Sequence, residues 1–199
     1  MPTTAVTDGD LLDMALDAFA DGGYDGTSVR ELCRRLGVSH NLVHERHGSK
    51  EQLWYAAIDH GFQRLASELA TAALDASGDE LDRLRAILVR YVEATAERPA
   101  LIRIVNQEAS RPGGRLDHVY DRYIRPAHQV ADAVLRELER SGRVRRRLSP
   151  AALHFLVGHG AGGLVSLPEL AGRFPARDHG SLTQQARAAV DVVLRGLVT

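Results

Sequence analysis

The chain has 199 residues, enough for one compact core or two small units sharing a helix. Its 25 Lys+Arg against 26 Asp+Glu leave a formal charge of −1, so a polyanion partner has to be sought in local features, not in a global excess of charge. Cys33 stands alone, which excludes an intrachain disulfide framework, fits a reducing compartment and reads as helix packing.

The opening "MPTTAVTDGD" lacks the basic start and apolar run of a signal peptide. Ala151 to Leu167, the longest weakly polar stretch, holds two His and four Gly and falls short of the ~20 apolar residues a span needs. A soluble, cytoplasmic protein with no membrane partner is expected.

Nearly every segment carries the helical period and none alternates like a strand. Leu12, Ala15, Leu16, Phe19 and Ala20 form one apolar stripe, stopped by Gly22 and Gly23. Ser28 and Glu31 have the spacing of a capping box, opening a helix with Val29, Leu32, Cys33 and Leu36 that meets Gly37. A left-handed Gly37 turns the chain into a short helix from Ser39, ended by Gly48. Ser49 and Gln52 cap the longest helix, whose expected buried stripe is Trp54, Ile58, Phe62, Leu65, Leu69 and Ala72. Asp79 caps a helix to Arg98, and Pro99 starts another that Pro112, Gly113 and Gly114 end. A long helix follows to Ser141, kinked at Pro126. Ser149 and Pro150 open a helix that Pro168 closes, "PELAGRFPARDHG" is a loop, and Ser181 with Gln184 caps the last helix. The fold class is all-α, with about nine helices and no internal repeat.

A helix followed by two helices around a tight glycine turn is the helix-turn-helix arrangement, whose short second helix offers its N-terminal residues to a major groove. Thr27, Ser28, Ser39 and Lys50 can hydrogen-bond or neutralise phosphates beside it. The stretch "LLDMALDAFADGGYDGTSVRELCRRLGVS…HGSKEQLWYAAI", residues 11 to 58, resembles the N-terminal domain of the tetracycline-repressor (TetR/AcrR-like) family, through the frames "FA..GY..TSVREL…LGVS" and "GSKE.L". The remainder is similar in helix count and length only. The resemblance implies a helix-turn-helix DNA-binding domain at 1–50 and a ligand-binding and dimerisation domain at 51–199. It implies phosphate contacts at Ser28, His44 and Lys50, and base contacts at Arg30, Ser39, His40 and Asn41. Side-chain chemistry agrees for two of these. Arg30 can grip a guanine through two acceptors and Asn41 can pair two-pronged with an adenine, each contributing ~1–3 kcal/mol of discrimination.

The sequence departs from that family where His44 replaces a usual Tyr, His47 a usual buried Phe, and Glu45 and Arg46 two aromatic or His residues. Residues 1–50 hold five Lys+Arg against eight Asp+Glu, so one unit alone should bind DNA weakly and affinity must come from two. His40, His44 and His47 could hold a metal, face DNA or pack. In this frame His47 points into the core, so no metal site is expected there. Charging it is expected to weaken DNA binding below about pH 6.

"GHGAGG" satisfies G-x-G-x-x-G as Gly158, Gly160 and Gly163, with Asp178 twenty residues beyond Gly158. Its context is helical on both sides, so the glycines read as sites of close helix approach, not as a dinucleotide cradle. No G-x-S-x-G elbow accompanies it, and no catalytic residue or cofactor is assigned. The run Arg143, Arg145, Arg146 and Arg147 reads as a solvated turn.

The family uses its middle helices to enclose a small molecule. Candidate lining residues here are Phe62, Tyr91, Ile102, Asn106, Tyr120, Tyr123, His154, Phe155 and His159. His154 and His159, five apart, should not share one helix face. The expected function is a ligand-responsive repressor whose homodimer, paired through the last two helices, grips a near-palindromic double-stranded operator. Two other readings are open: a nucleotide-dependent enzyme built on Gly158–Gly163, and a helical interaction protein that no longer binds DNA.

Overall fold

The computed structural model describes residues 6–144, 148–174 and 180–198; Arg145, Arg146, Arg147 and Asp178 lie outside them. The helices are α1 Asp8–Gly26, α2 Val29–Leu36, α3 His40–His47, α4 Lys50–Asp75, α5 Glu80–Glu97, α6 Ala100–Ala109, α7 Gly114–Val119, α8 Arg125–Arg140, α9 Pro150–His154, α10 Gly162–Ser166, α11 Pro168–Ala171 and α12 Leu182–Leu197. Among the described residues the only β feature is an isolated antiparallel bridge between Val144 and Val198. The fold is all-α.

Two long helices contain wide turns. A π-helical stretch, Tyr120–Ile124, joins α7 to α8, and another, Phe155–Ala161, joins α9 to α10. The first lies just before Pro126, which has no N–H to donate and crowds the carbonyl four residues back; the irregularity falls there instead of as a kink at the proline itself.

The caps follow the sequence in most places. Asp79 with Asp82 and Ser181 with Gln184 form reciprocal capping boxes. The box expected at Ser28 forms in one direction only. Ser28 accepts from Glu31 N at 3.3 Å, but the Glu31 carboxylate turns to Arg34 and Arg35, where charged donors offer stronger bonds than the cap amide. The expected stop in α1 appears as a break at Gly23 (φ 69°, ψ 172°), although the helical span runs on to Gly26. "PELA" is a one-turn helix, not loop, because Pro168 suits a first helical position as well as it ends the preceding helix.

Two compact units emerge from the packing: residues 1–64 with 100–119, and residues 65–99 with 120–199. This partition by packing differs from the boundary expected at 50/51. The first unit's core is built from Leu11, Leu12, Ala15, Leu16 and Phe19 of α1, Leu32 and Cys33 of α2, Val43 of α3, Leu53, Trp54, Ala57 and Ile58 of α4, and Ile104 and Val105 of α6. Burial pushes the Cys33 thiol up, in keeping with a packing role. Of the stripe expected on α4, Trp54 and Ile58 are buried, while Phe62, Leu65, Leu69 and Ala72 remain half-exposed.

The second unit packs α5, the α9–α10 helix and α12 around Leu84, Val92, Leu153, Val157, Ala161, Val190 and Leu194. Glu68 bridges Arg90 and Arg98, each at 2.6 Å, and Arg85 grips Asp191 through two bonds of 2.6 and 3.0 Å. Burial raises the Glu68 carboxyl, but the hydrogen bonds from Arg90 and Arg98 outweigh it and leave a net lowering.

Candidate nucleic-acid interface

The turn between α2 and α3 sets the geometry of the first unit's exposed face. Gly37 adopts the left-handed conformation (φ 66°, ψ 23°), its N–H bonds to Arg34 O at 3.3 Å, and Val38 N–H bonds to Cys33 O at 3.1 Å. These two bonds are a Schellman ending, which needs a residue without a Cβ at its centre. Ser39 then caps α3 by accepting from Leu42 N at 3.1 Å. Only Val43 of α3 is fully buried, and His40 and Asn41 at its start are exposed, so the helix lies at the surface with its N-terminal turn outward.

Ser28, Arg30, Ser39, His40, Asn41 and His44 are all exposed, and Lys50 is half-buried. Four of the seven, Arg30, His40, His44 and Lys50, line one groove of about 390 Å³, together with Val29, Val43, Gly48 and Ser49. Ser28, Ser39 and Asn41 lie outside that lining. Arg34 and Arg35 are committed to Glu31, and Arg46 lies 3.5 Å from Asp8, which leaves Arg30 and Lys50 as the cations facing the groove.

His47 is inward, with a side chain 9% exposed, as the sequence suggested. Its surroundings are not purely apolar. Nε2 sits 3.3 Å from Asp8 Oδ1, close but without the alignment of a hydrogen bond. The Asp8 carboxylate thus stands beside the inward ring.

Sequence reasoning missed the support beneath Lys50. Its ammonium donates to Asp25 O at 3.3 Å and rests over the Tyr24 ring, 4.8 Å from the centroid. The Arg115 guanidinium also rests on Tyr24, at 4.0 Å. Tyr24 stands in the "GY" frame of the sequence; Arg115, ninety-one positions later, carries no local signal.

The candidate ligand residues divide between the units. Phe62, Ile102 and Asn106 belong to the first, where Ile102 is buried and Asn106 exposed. Tyr91, Tyr120, Tyr123, His154, Phe155 and His159 belong to the second. There, His154 and His159 do share a face, with ring centroids 5.7 Å apart. The stretch between them is π-helical, and its i→i+5 pattern brings residues five apart together. His128 of α8 joins them at 4.9 Å from His154, and Phe155 packs 4.9 Å from His159. Burial, then the neighbouring His128 and His159, pushes His154 down to about 4.

This shift carries a stability prediction. A histidine held neutral in the fold contributes stability that is fully present above its ordinary value of 6.5 and is lost as pH falls from there toward 4. His154→Gln should remove that part of the acid sensitivity, ~1–2 kcal/mol after discounting for partial exposure, in thermal melts at pH 6.5 and 4.5. Identical pH dependence in both proteins would refute it.

The glycines of "GHGAGG" face two ways. A Cβ on Gly158 would approach the Tyr91 hydroxyl at 3.5 Å and one on Gly162 would press on Val157 O at 3.3 Å, whereas Gly163 has nothing within 4 Å. Placed mid-helix, with no strand before it, the motif lacks the strand–turn–helix context of a phosphate cradle.

The first unit's arrangement, a supporting helix, a left-handed turn and a projecting second helix, defines a helix-turn-helix protein. Residues 11–57 match the sequence profile described as "Bacterial regulatory proteins, tetR family", and residues 81–193 match "Tetracyclin repressor-like, C-terminal domain". The chain belongs to the tetR family of bacterial regulatory proteins. It is 37% identical over 81 residues to an "HTH-type transcriptional repressor" of Mycobacterium tuberculosis, a match spanning 40% of this chain and 43% of that relative. Among solved structures, the ketosteroid transcriptional regulator KstR2 of Mycobacterium tuberculosis aligns with a TM-score of 0.69 at 20% identity, covering 99% of this chain and 97% of that one. FadR of Bacillus subtilis, in complex with stearoyl-CoA, aligns with a TM-score of 0.71 at 13% identity, covering 94% and 97%.

Proposed function

We propose that this protein is a cytoplasmic, ligand-responsive transcriptional repressor that binds a near-palindromic operator as a homodimer. The observation that carries the reading is the single groove where Arg30, His40, His44 and Lys50 converge beside the exposed start of α3. Base edges are read by Arg30, Ser39, His40 and Asn41, and phosphates are held by Ser28, His44 and Lys50. Among the described residues no helix is long and apolar enough to cross a membrane, which is compatible with a cytoplasmic site of action.

Pairing uses the last two long helices. Phe155, Leu156 and Val192 are exposed large apolar side chains there, and Ala188 and Gly196 continue the outward stripe of α12 at four-residue spacing. Two copies then present two α3 helices about one DNA turn apart, ~34–36 Å. The effector occupies the second unit near Tyr91, His154 and His159, and shifts the protein only by its differential affinity for the two states. Since one structural neighbour was captured with stearoyl-CoA, a thermal-shift screen should include that thioester.

Selection of duplexes from a random-sequence pool, followed by gel shifts, tests the DNA reading. A near-palindrome is the expected product. Arg30→Ala and Asn41→Ala should each relax preference at one base pair per half-site, by ~1–3 kcal/mol. Lys50→Ala should weaken all sequences alike and flatten the salt slope by roughly 0.9 per phosphate released. A protein that binds no duplex above background is instead a helical interaction protein.

A further inference from the structure

The support under Lys50 reaches across the first unit to a segment distant in sequence. Tyr24 stacks on the fully buried Phe19, with ring centroids 6.1 Å apart and planes 13° from parallel, so its own position is fixed from below. Lys50 Nζ and the Arg115 guanidinium both lie against that ring. Arg115 is in turn fixed by Glu108, whose carboxylate accepts from Nε at 3.0 Å, and stands 5.8 Å from the Trp54 ring. Two cations on one aromatic ring repel each other. The arrangement holds because Glu108 balances Arg115 and the Asp25 carbonyl accepts from Lys50.

We propose that Arg115 is a positioning residue for DNA binding: it holds Tyr24, the seat of Lys50, and so aims the Lys50 ammonium at the backbone phosphate. The inference rests on the DNA reading above. Arg115 lies in the first turn of α7, next to Gly114.

The test compares Arg115→Ala, Arg115→Lys, Lys50→Ala and the Arg115→Ala/Lys50→Ala double variant on a duplex selected by the unmodified protein. Arg115→Ala should weaken binding about tenfold and flatten the salt slope. Arg115→Lys should restore most of both, and the double variant should be no weaker than Lys50→Ala alone. A structural role only would give additive losses and an unchanged salt slope, and would overturn the proposal. A second arm needs no DNA. Trp54 is the chain's one tryptophan, so Tyr24→Leu should alter its emission when Arg115 is present and leave it unchanged in the Arg115→Ala background. Equal changes in both backgrounds would also overturn it. Absence of DNA binding by the unmodified protein would sink the DNA reading, and with it the phosphate role of Arg115, while this arm would still report whether the stack is coupled.

Discussion

Trp54→Ala should destabilise the full-length protein by ~3–5 kcal/mol, measured by urea unfolding followed through circular dichroism. Trp54 is the largest fully buried side chain, with no exposed surface, and its removal leaves a cavity at the centre of the first unit. It also removes an edge-on contact with Tyr55 at 5.2 Å, worth ~0.5–1.5 kcal/mol beyond area. Trp54→Phe keeps most of the apolar volume and should cost clearly less. Because Trp54 lies one turn into α4, near Lys50, the alanine variant should lose operator binding at temperatures where the second unit is still folded. A change below ~1 kcal/mol would mean that the site collapses around the missing ring, against the close packing of its neighbours.

On the proposed pairing through α12, Val192→Glu should convert the protein to a monomer in sedimentation and reduce operator affinity by roughly 10²–10⁴-fold, the factor two linked half-site contacts gain over one. Val192 is 70% exposed in the single chain, so a carboxylate there is solvated in the monomer and leaves its fold intact. In a paired α12 face the same carboxylate would be buried without a partner, which is strongly unfavourable. The melting temperature of the dilute protein separates the two effects: it should change little while pairing is lost. A Val192→Glu protein that still sediments as a dimer with unaltered affinity would place the interface elsewhere. The negative balance of residues 1–50, five Lys+Arg against eight Asp+Glu, makes this dependence steep, because one unit presents only Arg30 and Lys50 to the groove.

The sequence by itself determined the helices, most of their ends and the turn that exposes α3. Those are local matters. A serine or aspartate placed before an apolar period satisfies free amides at a helix start, and glycine at position 37 is the residue that closes α2 without a Cβ penalty. The outward set Arg30, His40, Asn41 and His44 was legible too: all four are polar, and α2 and α3 fully bury only Leu32, Cys33 and Val43. Periodicity misjudged positions whose surroundings come from far along the chain. The distal stripe of α4 has apolar spacing yet stays half-exposed in the single chain. His154 and His159 share a face because a π turn replaced the ordinary helical period, and His128 joins them from another helix. Glu31 left its cap for two arginines on its own helix, a choice among competing partners that spacing alone does not rank. Tertiary structure alone decided that Arg115 and Lys50 would meet on Tyr24. Caps and turns are settled by energies within a few residues, whereas that contact depends on where the packing of whole helices brings three distant segments together.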